Sequence, residues 1–314
     1  MKCPSCSRNH QHKYGMKCRC GYKFALDPKV DKISDRRFVS FINGASCNGT
    51  FSFTENQLYT AACRKQLSLH VALPIFLTFL TAGFLFLGFA FEPKLLFVAI
   101  VPTLVLLGCL YHLFLGKLPR DRFEGWRKKY IAEHGPIKSM IIGAKLKDPP
   151  KQMSEPDIHD YGVERVLVVQ RRILVDLLIA NNIHSANRAL IVTADGYPDY
   201  LSQRVQELLA ESSELPVFLL HDSDHEGMSW AAEQMVRYQA PRRQVIDLGL
   251  APESVKKIGK LSTLRLKNVD YKVPIDAVPM AMLANGIALS MDQGIGMEEL
   301  LVMDTTTDAS TSFG

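Results

Sequence analysis

The sequence predicts a multidomain membrane protein with a small cysteine-rich module, a two-helix transmembrane hairpin and an α/β domain with a mostly parallel sheet. Four cysteines within the first twenty residues indicate the first part. Two long uncharged runs indicate the second, and a later alternation of short apolar runs with amphipathic stretches indicates the third. The 314 residues suffice for about two domains, and the net charge of +5 suits anionic partners without identifying them.

The first part of the chain, residues 1–30, is predicted to hold a structural zinc site. Two close cysteine pairs can supply four thiolates to one tetrahedral Zn²⁺, and so small a segment would depend on that metal for its folding free energy. The spacing resembles a zinc ribbon, with CxC in place of the commoner second CxxC. His10 and His12 could substitute as ligands, and free thiols without metal are the alternative. The four candidate ligands are Cys3, Cys6, Cys18 and Cys20.

Residues 31–66 are predicted to form a small helical module. The sequence from Thr54 to Gln57 has the form of a capping box, in which the first and fourth side chains bond each other's backbone N–H groups. A helix should therefore begin there and continue over residues 58–65.

Residues 67–116 are predicted to be a transmembrane hairpin. Two uncharged runs, residues 69–91 and 95–115, each exceed the roughly 20 residues that cross a hydrocarbon core. The short connection between the runs leaves room only for a tight turn. The alternative is a pair of helices buried inside a protein, because both environments favour apolar side chains.

Basic residues on either side of the hairpin predict its orientation. Arg64 and Lys65 precede it and several basic residues follow it in the segment 117–160, whereas the turn offers only Lys94. The positive-inside rule then places both termini in the cytoplasm, in a multi-pass protein of the inner, cytoplasmic membrane. Residues 117–160 are interpreted as a basic juxtamembrane helix followed by a linker.

Residues 161–250 alternate between strand-like and helix-like patterns, which predicts βαβ units with a mostly parallel sheet. Asp199 is expected to cap the helix after the second strand, and residues 228–238 should form the helix after the third. Residues 251–304 are predicted to be a helical extension and residues 305–314 a disordered tail. The predicted strands are residues 166–169, Ala189–Thr193, Val217–Leu220 and residues 244–248.

Acidic residues follow the third predicted strand, in the stretch VFLLHDSDHEG of residues 217–227. Ligands of parallel sheets collect at the carboxyl ends of the strands, and hard cations such as Mg²⁺ prefer carboxylate oxygens. Asp222, Asp224 and Glu226 therefore form a candidate site for Mg²⁺ or Mn²⁺. The alternative is that these acids only solvate the turn or stabilise the N-terminus of the next helix.

Three strand ends in this order resemble those of the Toprim domain, and most closely that of the A subunit of topoisomerase VI and its meiotic relatives. The stretch DSDHEG is also similar to the DxDxEG stretch of type IA topoisomerases. The match covers about ninety residues, so the α/β domain of residues 161–250 is interpreted as Toprim-like. The residues that carry the resemblance are 168–171 (VVQR), 192–199 (VTADGYPD) and 215–217 (LPV) leading to 222–224 (DSD).

The resemblance implies that Asp222 and Asp224, with Glu226, hold Mg²⁺ or Mn²⁺ against phosphate oxygens. It also implies a glutamate at the end of the first strand, as an acid/base group or metal ligand. That position holds Gln170, and an amide cannot exchange a proton as a carboxylate does. The further candidates for ligand binding are Asp195, Gly196 and Gly227.

Three functions follow as hypotheses. The first is a membrane-anchored cytosolic protein that binds a divalent metal and a phosphate-bearing ligand, by resemblance nucleic acid, with catalysis impaired by Gln170. The second is an Mg²⁺-dependent nuclease or phosphodiesterase that uses Asp222, Asp224 and Glu226. The third is a membrane scaffold for protein partners or further copies of the chain. Strand passage by this chain alone is not expected, because the residues upstream leave no room for the family's winged-helix domain with its catalytic tyrosine.

Overall fold

The computed structural model describes residues 1–65, 78–82, 118–143, 145–146, 162–251 and 273–297. The chain divides into two units, of which unit 1 comprises Met1–Phe41 and Ala61–Gly135, and unit 2 comprises Ile42–Thr60 and Pro136–Gly314. Each unit thus combines two separated stretches of the sequence.

Unit 1 contains the cysteine-rich residues together with helical segments. Its helices include α1 (Asp35–Ala45), which continues into unit 2, and α2 (Arg120–His134). The buried carboxylate of Asp35 accepts a hydrogen bond from the Tyr22 hydroxyl at 2.8 Å and lies 3.3 Å from His134 Nε2. The indole N–H of Trp126 donates to the Asp31 carbonyl oxygen at 3.1 Å. The cysteine-rich residues therefore pack with both helices.

In unit 2, the two-residue strand β1 (Phe53–Thr54) pairs in parallel with β2 (Met140–Ile141). The predicted capping box begins at Thr54, the last residue of β1. The Thr54 N–H donates to Gln57 Oε1 at 3.0 Å, and the Gln57 N–H donates to Thr54 Oγ1 at 3.3 Å. Residues 55–65 are helical, so the predicted start of this helix is confirmed.

The centre of unit 2 is a four-stranded parallel sheet with the order β4-β3-β5-β6. Its strands are β3 (Arg165–Val169), β4 (Ala189–Thr193), β5 (Val217–Leu220) and β6 (Val245–Asp247). Each strand was predicted, and the fourth is shorter than predicted at both ends. Because all pairings are parallel, every strand presents its carboxyl end at the same edge.

Successive residues of a strand point to opposite faces of the sheet, so apolar strands make both faces apolar. Helices cover both of these faces. On one face, Leu167 belongs to a buried cluster with Leu177 and Leu283. On the other face, Val168 belongs to a cluster with Leu201. The helices around the sheet are α3 (Arg172–Ala180), α4 (Ile183–Ala186), α5 (Asp199–Glu211), α6 (His225–Tyr238) and α7 (Met280–Gln293).

Two helix starts differ from the prediction. Pro198, not Asp199, is the N-cap residue of α5, and Asp199 lies in the first turn, where its charge favours the positive end of the helix. The fixed backbone angle of the proline supplies the extended conformation that a residue before a helix adopts. The helix α6 begins at His225, earlier than predicted, because Asp224 caps it.

The predicted transmembrane hairpin is not supported. In the part of the chain that the structure describes, no helix is both long enough and apolar enough to cross a membrane. Of residues 67–116, residues 78–82 are described and helical, and the others lie outside the described residues. The fold class of a membrane protein and the multi-pass localisation with cytoplasmic termini are therefore wrong. Uncharged runs also suit helices that pack against protein, so their length alone does not specify lipid.

The remaining predicted segments are described only in part. Within residues 117–160 the predicted helix is observed as α2, without support for a position beside a membrane. Within residues 251–304 the structure describes residues 251 and 273–297, which contain the 3₁₀ turn Ile275–Ala277 and α7. The predicted tail, residues 305–314, lies outside the described residues.

Candidate functional site

The carboxyl ends of three strands meet at one edge of the sheet. Val169 of β3 pairs with Thr193 of β4 and with Leu220 of β5. The residues that follow these strand ends are therefore neighbours, and the Gln170 N–H donates to the Leu220 carbonyl oxygen at 3.0 Å. We call the residues at this edge the strand-end site, which consists of Gln170, Asp195 and Asp222.

Gln170 is joined to Asp222 through a hydrogen bond. Its Oε1 atom accepts from the Asp222 N–H at 2.9 Å. The side-chain amide therefore directs its carbonyl oxygen at the protein backbone, and its NH₂ group is left as a donor. A donor at this position can hold a phosphate or water oxygen but cannot take up a proton.

Arg171 pairs with two carboxylates, Asp222 of the strand-end site and the neighbouring Asp276. Its Nε atom lies 2.6 Å from Asp222 Oδ2, and its Nη2 atom lies 2.5 Å from Asp276 Oδ1. Asp276 is 1% exposed, and both of its oxygens accept from Asn56 Nδ2, at 3.2 and 3.1 Å. Such partners are needed because an unpaired charge inside a protein is strongly destabilising.

Sequence reasoning missed Arg171, Asp276 and Asn56. The signal for Arg171 was its position directly after Gln170, where a basic side chain can reach the acids of the neighbouring strand end. Asp276 and Asn56 offered no local signal, because they are 220 positions apart in the chain.

Burial raises the pKa of Asp222 above its usual range, although Arg171 opposes this effect. The side chain is 15% exposed, and its Oδ1 atom also accepts from the Ile275 N–H at 2.8 Å. A divalent cation would have to share this carboxylate with Arg171. Because the two positive charges repel each other, the arrangement lowers the affinity of Asp222 for a metal.

Asp224 caps helix α6, as the alternative interpretation of the acidic stretch proposed. Its Oδ1 atom accepts from the Gly227 N–H at 2.7 Å. Glu226 lies in the first turn of α6 and is exposed. Among the residues that are described, these acids do not gather their oxygens into a group of three with Asp222. Their role as metal ligands stays a prediction.

Gly227 lets α6 begin against the end of β5. A Cβ atom at this position would lie 2.1 Å from the Asp222 carbonyl oxygen, a distance that no side chain tolerates without movement of the backbone. Gly196 has a φ of +88°, in the left-handed region that glycine adopts readily. Both glycines thus have structural reasons for their positions, and their predicted part in ligand binding stays a prediction.

Asp195 lies in the turn after β4 and is exposed. It pairs with Arg172 Nη2 at 2.5 Å. The Thr193 hydroxyl donates to its other oxygen, and this bond together with Arg172 holds the pKa of Asp195 below its usual range. The pair gives the strand-end site a charged contact that solvent can reach.

His221 is a further buried group that the sequence analysis did not single out. Its Nδ1 atom lies 2.7 Å from the Asp222 carbonyl oxygen, and its Nε2 atom lies 3.2 Å from Asp247 Oδ1. Burial disfavours the charged imidazole, but the hydrogen bond and charge of Asp247 outweigh it, so the pKa of His221 is raised. Since both partners are acceptors, the protonated ring can donate to both.

Unit 1 holds a second candidate site, formed by cysteines. Four Sγ atoms lie within 4.8 Å of one another, and they belong to Cys3, Cys6, Cys18 and Cys20. The Sγ atoms of Cys3 and Cys20 are 3.6 Å apart, and those of Cys6 and Cys18 are 3.7 Å apart. Four Zn–S bonds of about 2.3 Å at tetrahedral angles give sulfur separations of about 3.8 Å. The residues present therefore fit a zinc ion.

The cysteine thiols differ in acidity. The backbone N–H of Tyr22 lowers the pKa of Cys20 to about 6, whereas burial raises the pKa of Cys3 to about 11. The thiolate is the form that binds a metal, so Cys20 is prepared for this role. His10 and His12 are hydrogen-bonded to other groups and do not belong to the cluster.

The sheet order, the aligned strand ends and the acids after β5 define an α/β domain with a parallel sheet and polar residues at its carboxyl edge. Residues 165–272 match the family model of the Toprim domain that the topoisomerase 6 A subunit shares with Spo11. This region is therefore a Toprim domain of the topoisomerase 6 A-subunit/Spo11 type, as the resemblance predicted. The match covers about a third of the chain and does not include the cysteine-rich residues, so it gives no support to a zinc ribbon.

A relative among the curated proteins supports the same conclusion. The chain is 32% identical over 93 residues to the Meiotic recombination protein SPO11-4 of Oryza sativa subsp. japonica. The matched part is 29% of this chain and 19% of the relative, so the chain spans about a fifth of that protein's length. No solved structure matches the chain. The relationship is therefore that of a domain and not of the whole protein.

Proposed function

We propose that the Toprim domain binds nucleic-acid phosphates together with a weakly held Mg²⁺ or Mn²⁺ and does not cleave the strand. The observation that carries this proposal is Gln170 at the end of β3, whose Oε1 atom accepts from the Asp222 N–H at 2.9 Å. Phosphodiester cleavage requires a group that takes up or delivers a proton, and a carboxamide does neither near neutral pH. Binding requires only positive charge, which the divalent cation would supply, and hydrogen-bond donors, which Arg171 and Gln170 supply.

The acids that follow β5 can supply ligands to a weakly bound divalent cation. Asp222 and Asp224 each offer a carboxylate oxygen, and Mg²⁺ completes its coordination with waters and phosphate oxygens. A bound cation would neutralise the charge of the phosphate. Arg171, which is 31% exposed, can donate to the same phosphate while it remains paired with Asp276.

A nuclease is the second candidate function, and it requires Asp222, Asp224 and Glu226 to act on one metal. The exposure of Glu226 favours binding over cleavage, because among the residues that are described its carboxylate does not form a group of three with those of Asp222 and Asp224. A scaffold for protein partners or further copies of the chain would require neither metal nor nucleic acid.

We also propose that the four cysteines of unit 1 hold one structural Zn²⁺. The sulfur separations of 3.6 and 3.7 Å support this assignment, because they approach those of a tetrahedral site. Zinc bound in this way stabilises unit 1 and has no part in phosphate chemistry.

Addition of Mg²⁺ or Mn²⁺ should raise the melting temperature of the parent protein by about 3 °C at ten times the dissociation constant. Asp222→Asn should abolish this increase, because the amide is a poor ligand for a hard cation. Asp292→Asn is the matched control, since Asp292 is exposed and pairs with Arg165 at the amino end of β3, and it should keep the increase. Gln170→Glu should enlarge it by adding a carboxylate that can still accept from the Asp222 N–H.

Fluorescence anisotropy with a labelled oligonucleotide, and gel analysis of the same oligonucleotide, decide between the functions. We expect binding without cleavage. Metal-dependent cleavage by the parent that is lost in Asp224→Asn would replace the proposal with a nuclease. If the parent protein neither responds to the metal nor binds the oligonucleotide, a scaffold for protein partners is the remaining function.

A further inference from the structure

An open cavity of about 480 Å³ in unit 1 has three cationic side chains in its lining, beside the apolar residues Met1, Pro28 and Ile33. Lys29 and Lys32 are exposed, and Arg37 is partly buried. The Ser34 hydroxyl and the His12 ring complete the polar part of the lining. The cavity is separate in sequence from the strand-end site, and nothing in the proposed function uses it.

The three cations of the cavity have no ion-pair partner among the residues that the structure describes. Asp27 is the carboxylate beside the cavity: it lies 2.8 Å from Nε2 of the lining residue His12, and the charge of Lys29 also helps to lower its pKa. Asp31 lies 2.5 Å from Lys129 Nζ, outside the lining. Burial lowers the pKa of Arg37, and no carboxylate opposes this effect. Three cations thus face one nearby carboxylate, Asp27, so the lining keeps an excess of positive charge.

We propose that this cavity binds the phosphate group of a phosphate ester. A guanidinium and two ammonium groups can donate to several oxygens at once, and a phosphate offers more acceptor oxygens and more charge than a carboxylate. The Ser34 hydroxyl adds a neutral donor, and the volume leaves room for the ester group beyond the phosphate. The assignment of the ester to a nucleic-acid strand rests on the proposed function.

The test uses the full chain and two probes, inorganic phosphate in calorimetric titration and a short single-stranded oligonucleotide in fluorescence anisotropy. Lys29→Ala/Lys32→Ala removes two exposed cations, so it does not threaten folding. Lys17→Ala/Lys138→Ala removes the same charge from exposed positions that do not line the cavity. Relative to this control, the first variant should bind phosphate about tenfold more weakly. The salt dependence of oligonucleotide binding should also fall, by about one unit of slope for each phosphate-binding lysine that is removed.

Equal phosphate binding by the two double variants would overturn the inference. Weaker binding of both probes would assign the cavity to a nucleic-acid strand, and weaker binding of phosphate alone would assign it to a free phosphate ester. Asp222 does not line the cavity. A parent protein whose melting temperature does not respond to Mg²⁺ or Mn²⁺ would therefore count against the proposed function and leave this inference standing.

Discussion

Replacement of Arg171 by alanine should destabilise unit 2 by about 3–5 kcal/mol. The guanidinium lies 2.6 Å from Asp222 and 2.5 Å from Asp276, which is almost fully buried. Without Arg171, the Asp276 carboxylate must remain charged in a site with little water or take up a proton. Either outcome costs free energy of folding. The measurement is urea denaturation of a Trp126→Phe protein, in which the fluorescence of Trp230 reports on unit 2.

The matched control is Arg172→Ala, one position further along the chain. Arg172 is 56% exposed and pairs with the exposed Asp195, so its loss should cost less than about 1 kcal/mol. The addition of Asp276→Asn to the Arg171→Ala protein should restore part of the lost stability, because an amide requires no cation. Equal destabilisation by the two arginine substitutions would show that Asp276 does not depend on Arg171.

The parallel sheet could be predicted because its strands are buried on both faces. Val217–Leu220 is apolar throughout and ends directly before polar residues, a pattern typical of a strand covered by helices on both sides. The order of the motifs then led to the Toprim domain. It also placed Gln170 and Asp222 at neighbouring strand ends, which the hydrogen bond between them confirms.

The part that Asp276 and Asn56 play beside Arg171 could not be predicted in this way. Arg171 is close to Asp222 in the fold, but its second partner, Asp276, lies 105 positions further along the chain. Asn56 reaches the same carboxylate from the opposite end of the sequence. Hydrophobic periodicity describes local elements and contains no information about which distant loops meet.

The fold class of a membrane protein was wrong for a related reason. Hydropathy reports how readily a segment leaves water, and lipid and protein interiors both reward that property. Residues 69–91 and 95–115 satisfied the criterion for length and charge. Within the described ranges, however, no helix combines the length and the apolar character that a membrane span requires.

Substitution of Cys18 by serine should remove the zinc that we propose for unit 1 and unfold that unit. Structural zinc contributes about 10–16 kcal/mol of apparent binding free energy, which equals or exceeds the stability of a typical domain. The effect should extend beyond residues 1–30, because Tyr22 bonds to the buried Asp35 at the start of α1. Trp126 of α2 lies in the same unit, so its fluorescence in a Trp230→Phe protein reports the loss.

The matched control for the zinc prediction is Cys47→Ser, since Cys47 lies outside the cysteine cluster and belongs to unit 2. Metal analysis should find one zinc per chain in the parent protein and in Cys47→Ser, and none in Cys18→Ser. Removal of zinc from the parent with a strong chelator should change Trp126 fluorescence as the Cys18 substitution does. Because the zinc ligands and the sheet belong to different units, Trp230 should report an intact unit 2 in both cases. A parent protein purified under reducing conditions without zinc, and with Trp126 buried, would show that unit 1 folds without the metal.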